Sequence, residues 1–398
     1  MGLRITPGRS DQAGLVMTSS EPTPESSSDG QAREAFDELL GSLREVRDRF
    51  CGPEWGIGSA EDAAGAIRLV ANLLEGGLLG HFEDDPRHPV FRPIVSSTRK
   101  SLGDNADALY FDAPISSELA YRVTGRTAGA VYVSFTIEAG GAGGGFPQRT
   151  AGVLNNDDFD VDPDGGFEIF LGGDRRERNW IALDPDASRV TSRHYFEEER
   201  PASTPPIPDL ALAIEALGAL DPPAPPSDAS VAEGLRRVDR YVRSRSLEMP
   251  KPGEAVQPAF VSQVPNVFPP PIPPGDHPLA AADAAYSMSL YLLGPDEALV
   301  MTGRWPTCRF ANVSLWNRHL QTYDYAHRCV SLNRAQTRAE PDGSFRMVLA
   351  HSDPGIPNWL DTEGRPFGLV FWRFILPEGD IATPQATVVP MSELGSSG

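Results

Sequence analysis

The chain has 398 residues, a formal net charge of -20, 40% hydrophobic side chains and 23% charged ones. That length exceeds what one hydrophobic core accommodates, so two domains are expected in a globular protein of ordinary composition. The acidic balance, with no run of Lys or Arg, excludes a nucleic-acid partner and an anionic membrane surface, because phosphate recognition needs clustered cations. Cys51, Cys308 and Cys329 are an odd set without a CxxC pair. That argues against a disulfide framework or a zinc site of ordinary spacing and for a reducing compartment. No apolar leader and no run of eighteen apolar residues is present, so the chain reads as soluble and cytoplasmic, without a membrane partner.

Residues 1–30 are rich in Ser, Pro, Glu, Asp and Gly and are expected to be disordered, since they bury too little to offset their ordering entropy. Residues 31–95 read as a helical segment. Phe36, Leu39, Leu40, Leu43 and Phe50 share one helical face ended by Gly52-Pro53. A second helix starts at Ser59, turns Ala63, Ile67, Val70 and Leu74 inward, and stops near Gly76-Gly77. The first β module is expected to cover both stripes. Residues 96–200 form that module, with strand text at 120–123 and 130–137 and a GGAGGG hairpin loop at 140–145. The loop lacks the Lys and Ser/Thr of a phosphate cradle, and is expected to be mobile. Residues 201–280 read as a helical, proline-rich connection, with a short helix near 210–217 and a longer one carrying Val231, Leu235, Val238 and Val242. The proline-rich 265–278 reads as a stiff spacer rather than a polyproline ligand. Residues 281–390 form a second β module.

The two modules repeat one pattern in one order. Ala106-Asp107-Ala108 matches Ala282-Asp283-Ala284, Thr124-Gly125-Arg126 matches Thr302-Gly303-Arg304, and Val133-Ser134 matches Val313-Ser314. Pro163-Asp164-Gly165 matches Pro341-Asp342-Gly343, Asn179-Trp180 matches Asn358-Trp359, and Arg193 matches Arg373. The spacing drifts by no more than four residues, which implies two copies of one supersecondary unit. Shared residues are assigned to architecture: a turn glycine, an aromatic anchor, a strand-to-loop tie. Polar residues in one copy only are freer to carry function.

That filter selects His351, Asp353 and Asp361, of which His351 and Asp361 face Gly172 and Ala182 in the first copy. It selects His319, Asp324 and His327 as a second group. A His and a carboxylate together supply a general base and acid, with His351 as the proton-transfer group. Two or three His with a carboxylate bind a divalent metal, but no HxH or HExxH spacing identifies one, so the metal stays open. No GxSxG elbow and no helix-opening GxGxxG is present, so no dinucleotide site is indicated and the cofactor stays unknown.

The C-terminal text, Ser331-Leu332-Asn333-Arg334, then PDGSF, PNWLDTEG and FWRFILPE, resembles the bacterial family of domain of unknown function 1214. The N-terminal module, from GDNADALY through AYRVTGR and VYVSFTI, is similar to the leading part of the same proteins. The resemblance implies jelly-roll-like β-sandwiches and assigns no catalytic residue.

The expected fold is therefore mainly β, two tandem, internally duplicated β-sandwich modules with helical additions. Two functions stay open. One is an enzyme acting on a small, uncharged or cationic organic molecule at a His/carboxylate site in the second module. The other is a non-catalytic binding or interaction protein using exposed Trp316, Tyr323 and Tyr325. The sequence does not indicate an oligomeric state.

Overall fold

This computed structural model describes residues 30–394 except 219, 252, 255 and 276–278; apart from Gly30, the segment expected to be disordered lies outside the described residues. Three helices form one layer. They are α1 (Gln31–Phe50), α2 (Ala60–His81) and α3 (Asp228–Ser244). Ser59 Oγ accepts from the Asp62 amide and starts α2, and Ser227 and Ser230 close a reciprocal cap on α3.

The covering partner of α1 and α2 is α3, not the β module. Leu39, Val46 and Phe50 of α1, Leu69 and Leu73 of α2, and Leu235, Val238 and Val242 of α3 make one core. Phe36 is 51% exposed and Ile67 47% exposed, so both expected stripes are rotated. In α2 the reason is that apolar residues surround the helix, and periodicity alone does not say which side docks. Nor does α2 stop at Gly76-Gly77. A Cβ on Gly77 would lie 3.0 Å from Val238 Cγ1, and one on Gly76 would lie 2.8 Å from the Tyr241 hydroxyl. These glycines let α3 approach closely rather than ending the helix. By length and composition α2 could cross a membrane, but its inner face is packed in this core.

The first module contains β1 (Arg92–Pro93), β2 (Ala108–Pro114), β3 (Tyr121–Arg126), β4 (Tyr132–Ala139), β5 (Arg149–Asn155), β6 (Gly166–Leu171), β7 (Trp180–Ile181), β8 (Ala187–Tyr195) and β9 (Ala213–Ala216). The second contains β10 (Ala284–Leu292), β11 (Glu297–Gly303), β12 (Phe310–Trp316), β13 (Ser331–Asn333), β14 (Phe345–Ala350), β15 (Trp359–Asp361), β16 (Phe367–Ile375) and β17 (Gln385–Pro390). Their sheets run β1-β2-β8-β4-β5 and β7-β6-β3-β9, then β10-β16-β12-β13 and β15-β14-β11-β17. Leaving β1 aside, the second pair repeats the order of the first.

Residues 210–217 are therefore not a helix: β9 pairs with β3. Leu210, Leu212, Ile214 and Ala216 alternate with polar or small neighbours, the period of a strand. The glycine-rich loop does join β4 and β5, but it is pinned. Gly143 and Gly144 accept hydrogen bonds from Arg240, Ser244 and Arg245 of the α3 end. A Cβ on Gly144 would sit 2.2 Å from the Arg237 carbonyl.

The four sheets stack. Val123, Phe135, Ile169 and Val190 fill the first sandwich, and Leu299, Val313, Met347 and Trp372 the second. Tyr132, Tyr195, Tyr286, Phe310 and Phe371 join the two inner sheets to each other. Strands β4 and β12 are consequently buried at every position, while outer β3 alternates. Asp107 is the best-paired polar side chain of the seam, while Glu138 and two Arg373 nitrogens there have no hydrogen bond among the described residues. Asp107 accepts from Asn312 Nδ2 at 2.9 Å, Asn333 Nδ2 at 3.2 Å and Ser331 Oγ at 3.3 Å. Burial pushes its carboxyl up to about 6 against those donors.

Candidate functional site

Residues 94–105 form a strap between α2 and the second module. Arg99 ties it to Glu75 at 2.9 Å. The Lys100 carbonyl accepts from Asn72 Nδ2 of α2 at 3.2 Å and from Gln321 Nε2 at 2.9 Å, so a buried Asn in an apolar helix has a defined partner. The Gly103 amide donates to the Leu320 carbonyl at 2.7 Å. Asp104 accepts from the Thr322 amide at 2.9 Å and its hydroxyl at 2.5 Å.

Lys100 thereby enters the protein. It is 3% exposed, its Nζ donates to the Tyr323 carbonyl, and it lies 4.1 Å from the Tyr325 ring centroid. Burial lowers its ammonium below the usual lysine range, against the pull of Asp104 and Asp324. Burial raises Asp104, against Lys100 and Thr322.

Beside Lys100 opens a cleft lined by Arg68 and Asn72 of α2, by Asn317 and Asp324, and by Glu363 and Arg365. Glu363 accepts from the Asp324 amide at 2.7 Å and from Arg365 Nε at 3.3 Å. The cleft volume is about 30 Å3, room for about two waters or one small polar group. A wider depression of about 490 Å3 lies on the outer sheet around Thr302, Phe345 and Ile356, but none of the buried, shifted groups described above lines it.

Of the six residues selected from sequence, Asp324 lines the cleft. His327 Nδ1 is 2.9 Å from Asp324 Oδ2. Burial would raise Asp324, but the His327 hydrogen bond and charge outweigh it and hold the carboxyl low. His319 is buried between Phe50 and Trp55, with centroids 5.7 and 5.6 Å away. Neither of its ring nitrogens has a partner among the described residues. Burial, then the charge of Arg318, lowers it to about 4. His351 Nδ1 meets Thr362 Oγ1 at 2.6 Å. Asp353 accepts from the Gly355 amide at 2.7 Å in a local turn. Asp361 is buried in β15 and bonded to Arg328 Nη1 at 2.7 Å. Among the described residues no hydrogen bond or ion pair joins His351 to either aspartate, and no three His, Cys, Asp or Glu side chains are grouped for a metal.

The three aromatics expected to be exposed are all buried. Trp316 stacks on Phe371 and donates to the Asp104 carbonyl, the Tyr323 hydroxyl meets that of Tyr291, and Tyr325 lies beneath Lys100. The segment reads as polar loop because Asn, Arg, His, Gln and Asp alternate with these rings, but the strap covers the aromatic side. Lys100, Glu363 and Arg365 did not stand out in sequence. One signal was available: only Lys100 and Lys251 are lysines among 35 basic residues.

A solved structure shares this fold over most of the chain. No curated protein matches the chain. The crystal structure of an uncharacterised protein from Burkholderia cenocepacia is 26% identical, with a TM-score of 0.78 over 92% of this chain and 99% of that one. The VPA0106 protein from Vibrio parahaemolyticus is 12% identical, with a TM-score of 0.44 over 91% of this chain and 100% of that one. The family model of the protein of unknown function DUF1214 matches residues 298–379, in the half where the resemblance was strongest. The C-terminal β module thus carries a DUF1214 region.

Proposed function

We propose that the protein binds a small zwitterionic organic molecule whose charged end group enters the cleft beside Lys100. The observation that carries this is Lys100 itself. In a chain that otherwise uses arginine almost throughout, one of its two lysines is 3% exposed at the edge of a cleft. An ammonium there is a compact point charge with freely rotating donors, which a planar guanidinium does not replace. The lining offers both signs, Lys100 and Arg365 against Asp324 and Glu363, with amides between them. That composition suits a molecule carrying a carboxylate and an amine better than a simple anion or cation.

His327 and Asp324 at the rim are the His–carboxylate contact that the six selected residues make. If chemistry accompanies binding, that pair is where proton transfer to the molecule takes place. The cytoplasmic setting belongs to the same proposal and is supported by free Cys51, Cys308 and Cys329. So does common descent of the two modules, supported by their shared strand order.

The test is a thermal-shift and calorimetric screen of small zwitterions against wild type, Lys100→Met and Lys100→Arg. A ligand of the folded state raises its melting temperature. The expected result is a ligand whose Kd weakens at least about ten-fold in both variants. Equal stabilisation of all three proteins, or none from any zwitterion, would refute the reading.

A further inference from the structure

Helix α2 has a second apolar stripe, which the described residues cover only at Leu74, where it packs partly against the helical core. Ala64, Ile67, Ala71, Leu74 and Leu78 recur at alternating steps of three and four, which keeps them on one helical face. They lie opposite the side that Ala66, Leu69, Leu73 and Gly77 pack into the helical core. Ala64, Ile67, Ala71 and Leu78 are exposed and Leu74 is half-buried. Ile67 and Leu78 leave 47% and 45% of their surface in water. On α1, Phe36 is likewise exposed. A soluble helix is normally apolar on one side only, so a helix apolar on two sides is a helix with two partners.

We infer that this face pairs with the same face of a second copy of the chain, antiparallel about a two-fold axis. The alternation of small Ala64 and Ala71 with large Ile67, Leu74 and Leu78 provides knobs and holes for a facing helix. Charge complementarity selects a copy of this chain. In the antiparallel register that sets Ile67 against the partner's Leu78 and Ala71 against the partner's Leu74, Arg68 falls opposite the partner's Glu75. The two-fold axis makes that pair twice. Arg68 has no hydrogen bond or ion pair among the described residues. Glu75 is 56% exposed and gives Oε1 to Arg99, which leaves Oε2 for the partner's Arg68. A lipid surface is the disfavoured occupant. A helix lying on lipid carries basic flanks, whereas this stripe is flanked by Glu61, Arg68 and Glu75 in a chain of net charge -20.

The full chain measured by light scattering and sedimentation from about 1 to 100 micromolar is expected to reach twice its 43.0 kDa. Ile67→Glu and Leu78→Glu each place a carboxylate in the pairing face without touching the core. Each is expected to raise the dimer dissociation constant at least about ten-fold while leaving the circular dichroism spectrum and melting profile of a folded monomer. Arg68→Glu is expected to weaken the dimer more at low salt than at high salt. A wild type that stays monomeric throughout, a dimer that survives both Ile67→Glu and Leu78→Glu, or sedimentation of wild type with zwitterionic lipid vesicles in place of self-association overturns the inference.

Discussion

His319 holds an imidazole between two aromatic rings with neither nitrogen bonded among the described residues. Burial lowers its folded pKa to about 4 from 6.5, so it stays neutral in the fold where the unfolded chain takes up a proton. Its contribution to stability is complete above pH 6.5 and is lost as pH falls toward 4. His319→Leu keeps an apolar body there and removes the titration. Its stability relative to wild type, from urea unfolding, is expected to improve by about 2 kcal/mol between pH 7 and pH 5. A pH-independent difference would show that the ring is accommodated in its charged form. Sequence made His319 a site candidate because a histidine in a polar loop looks available. The residues that bury it, Phe50 and Trp55, lie far away in the chain. Lys100 shows the converse. Its partner Tyr323 is 223 residues on, so no local spacing could mark the pair.

At the level of single elements the repeated motifs were legible, because their constraints are local. Asn179 and Asn358 both take left-handed backbone, φ 56° and 57°. Asn179 Nδ2 donates to the Glu168 carbonyl and Asn358 Nδ2 to the Arg346 carbonyl. Trp180 and Trp359 then donate to Gly172 and Ala350. Asn358→Ala loses both the hydrogen bonds and an easily left-handed residue, whereas Asn358→Gly loses only the bonds. The alanine variant is expected to be less stable than the glycine variant by about 1 kcal/mol in denaturant unfolding. The reverse order would mean that the left-handed backbone is not what costs the alanine variant its stability. One expected equivalence slips. Arg193 pairs with Tyr110 and Ser134, and Arg373 with Tyr286 and Asn312. Ser134 therefore corresponds to Asn312 rather than Ser314. A two-residue slip keeps every side chain on its face, so alternation could not reveal it. The face of α2 and the strand β9 were misread for the related reason that a period reports exposure only when one side is polar.

Across the whole molecule the seam between the modules buries a set of polar groups. Asp107 reaches Asn312, Ser331 and Asn333 in the other module. Arg193 donates to Thr136 at 2.6 Å and to the Leu279 carbonyl at 3.0 Å, with Glu138 3.6 Å away. Parting the modules would leave Asp107 without Asn312, Ser331 and Asn333, and Tyr132 without Asp283, so each sandwich is expected to be unstable with the other unfolded. Calorimetry is expected to show one transition in which measured and van't Hoff enthalpies agree. Two resolved transitions would mean that the seam couples the modules weakly. The same layering sets the limits of the matched region apart from the limits of the fold. The DUF1214 region, residues 298–379, starts after β10 and stops before β17. Strand β10 holds one edge of β16 over nine register positions, and β17 borders β11 over six. A fragment cut at the limits of the family would carry β16 and β11 each with an open edge, and an inner sheet facing water instead of its companion. The matched region is thus expected to be less than a self-sufficient body, and a fragment of this chain that folds alone is expected to reach beyond it on both sides.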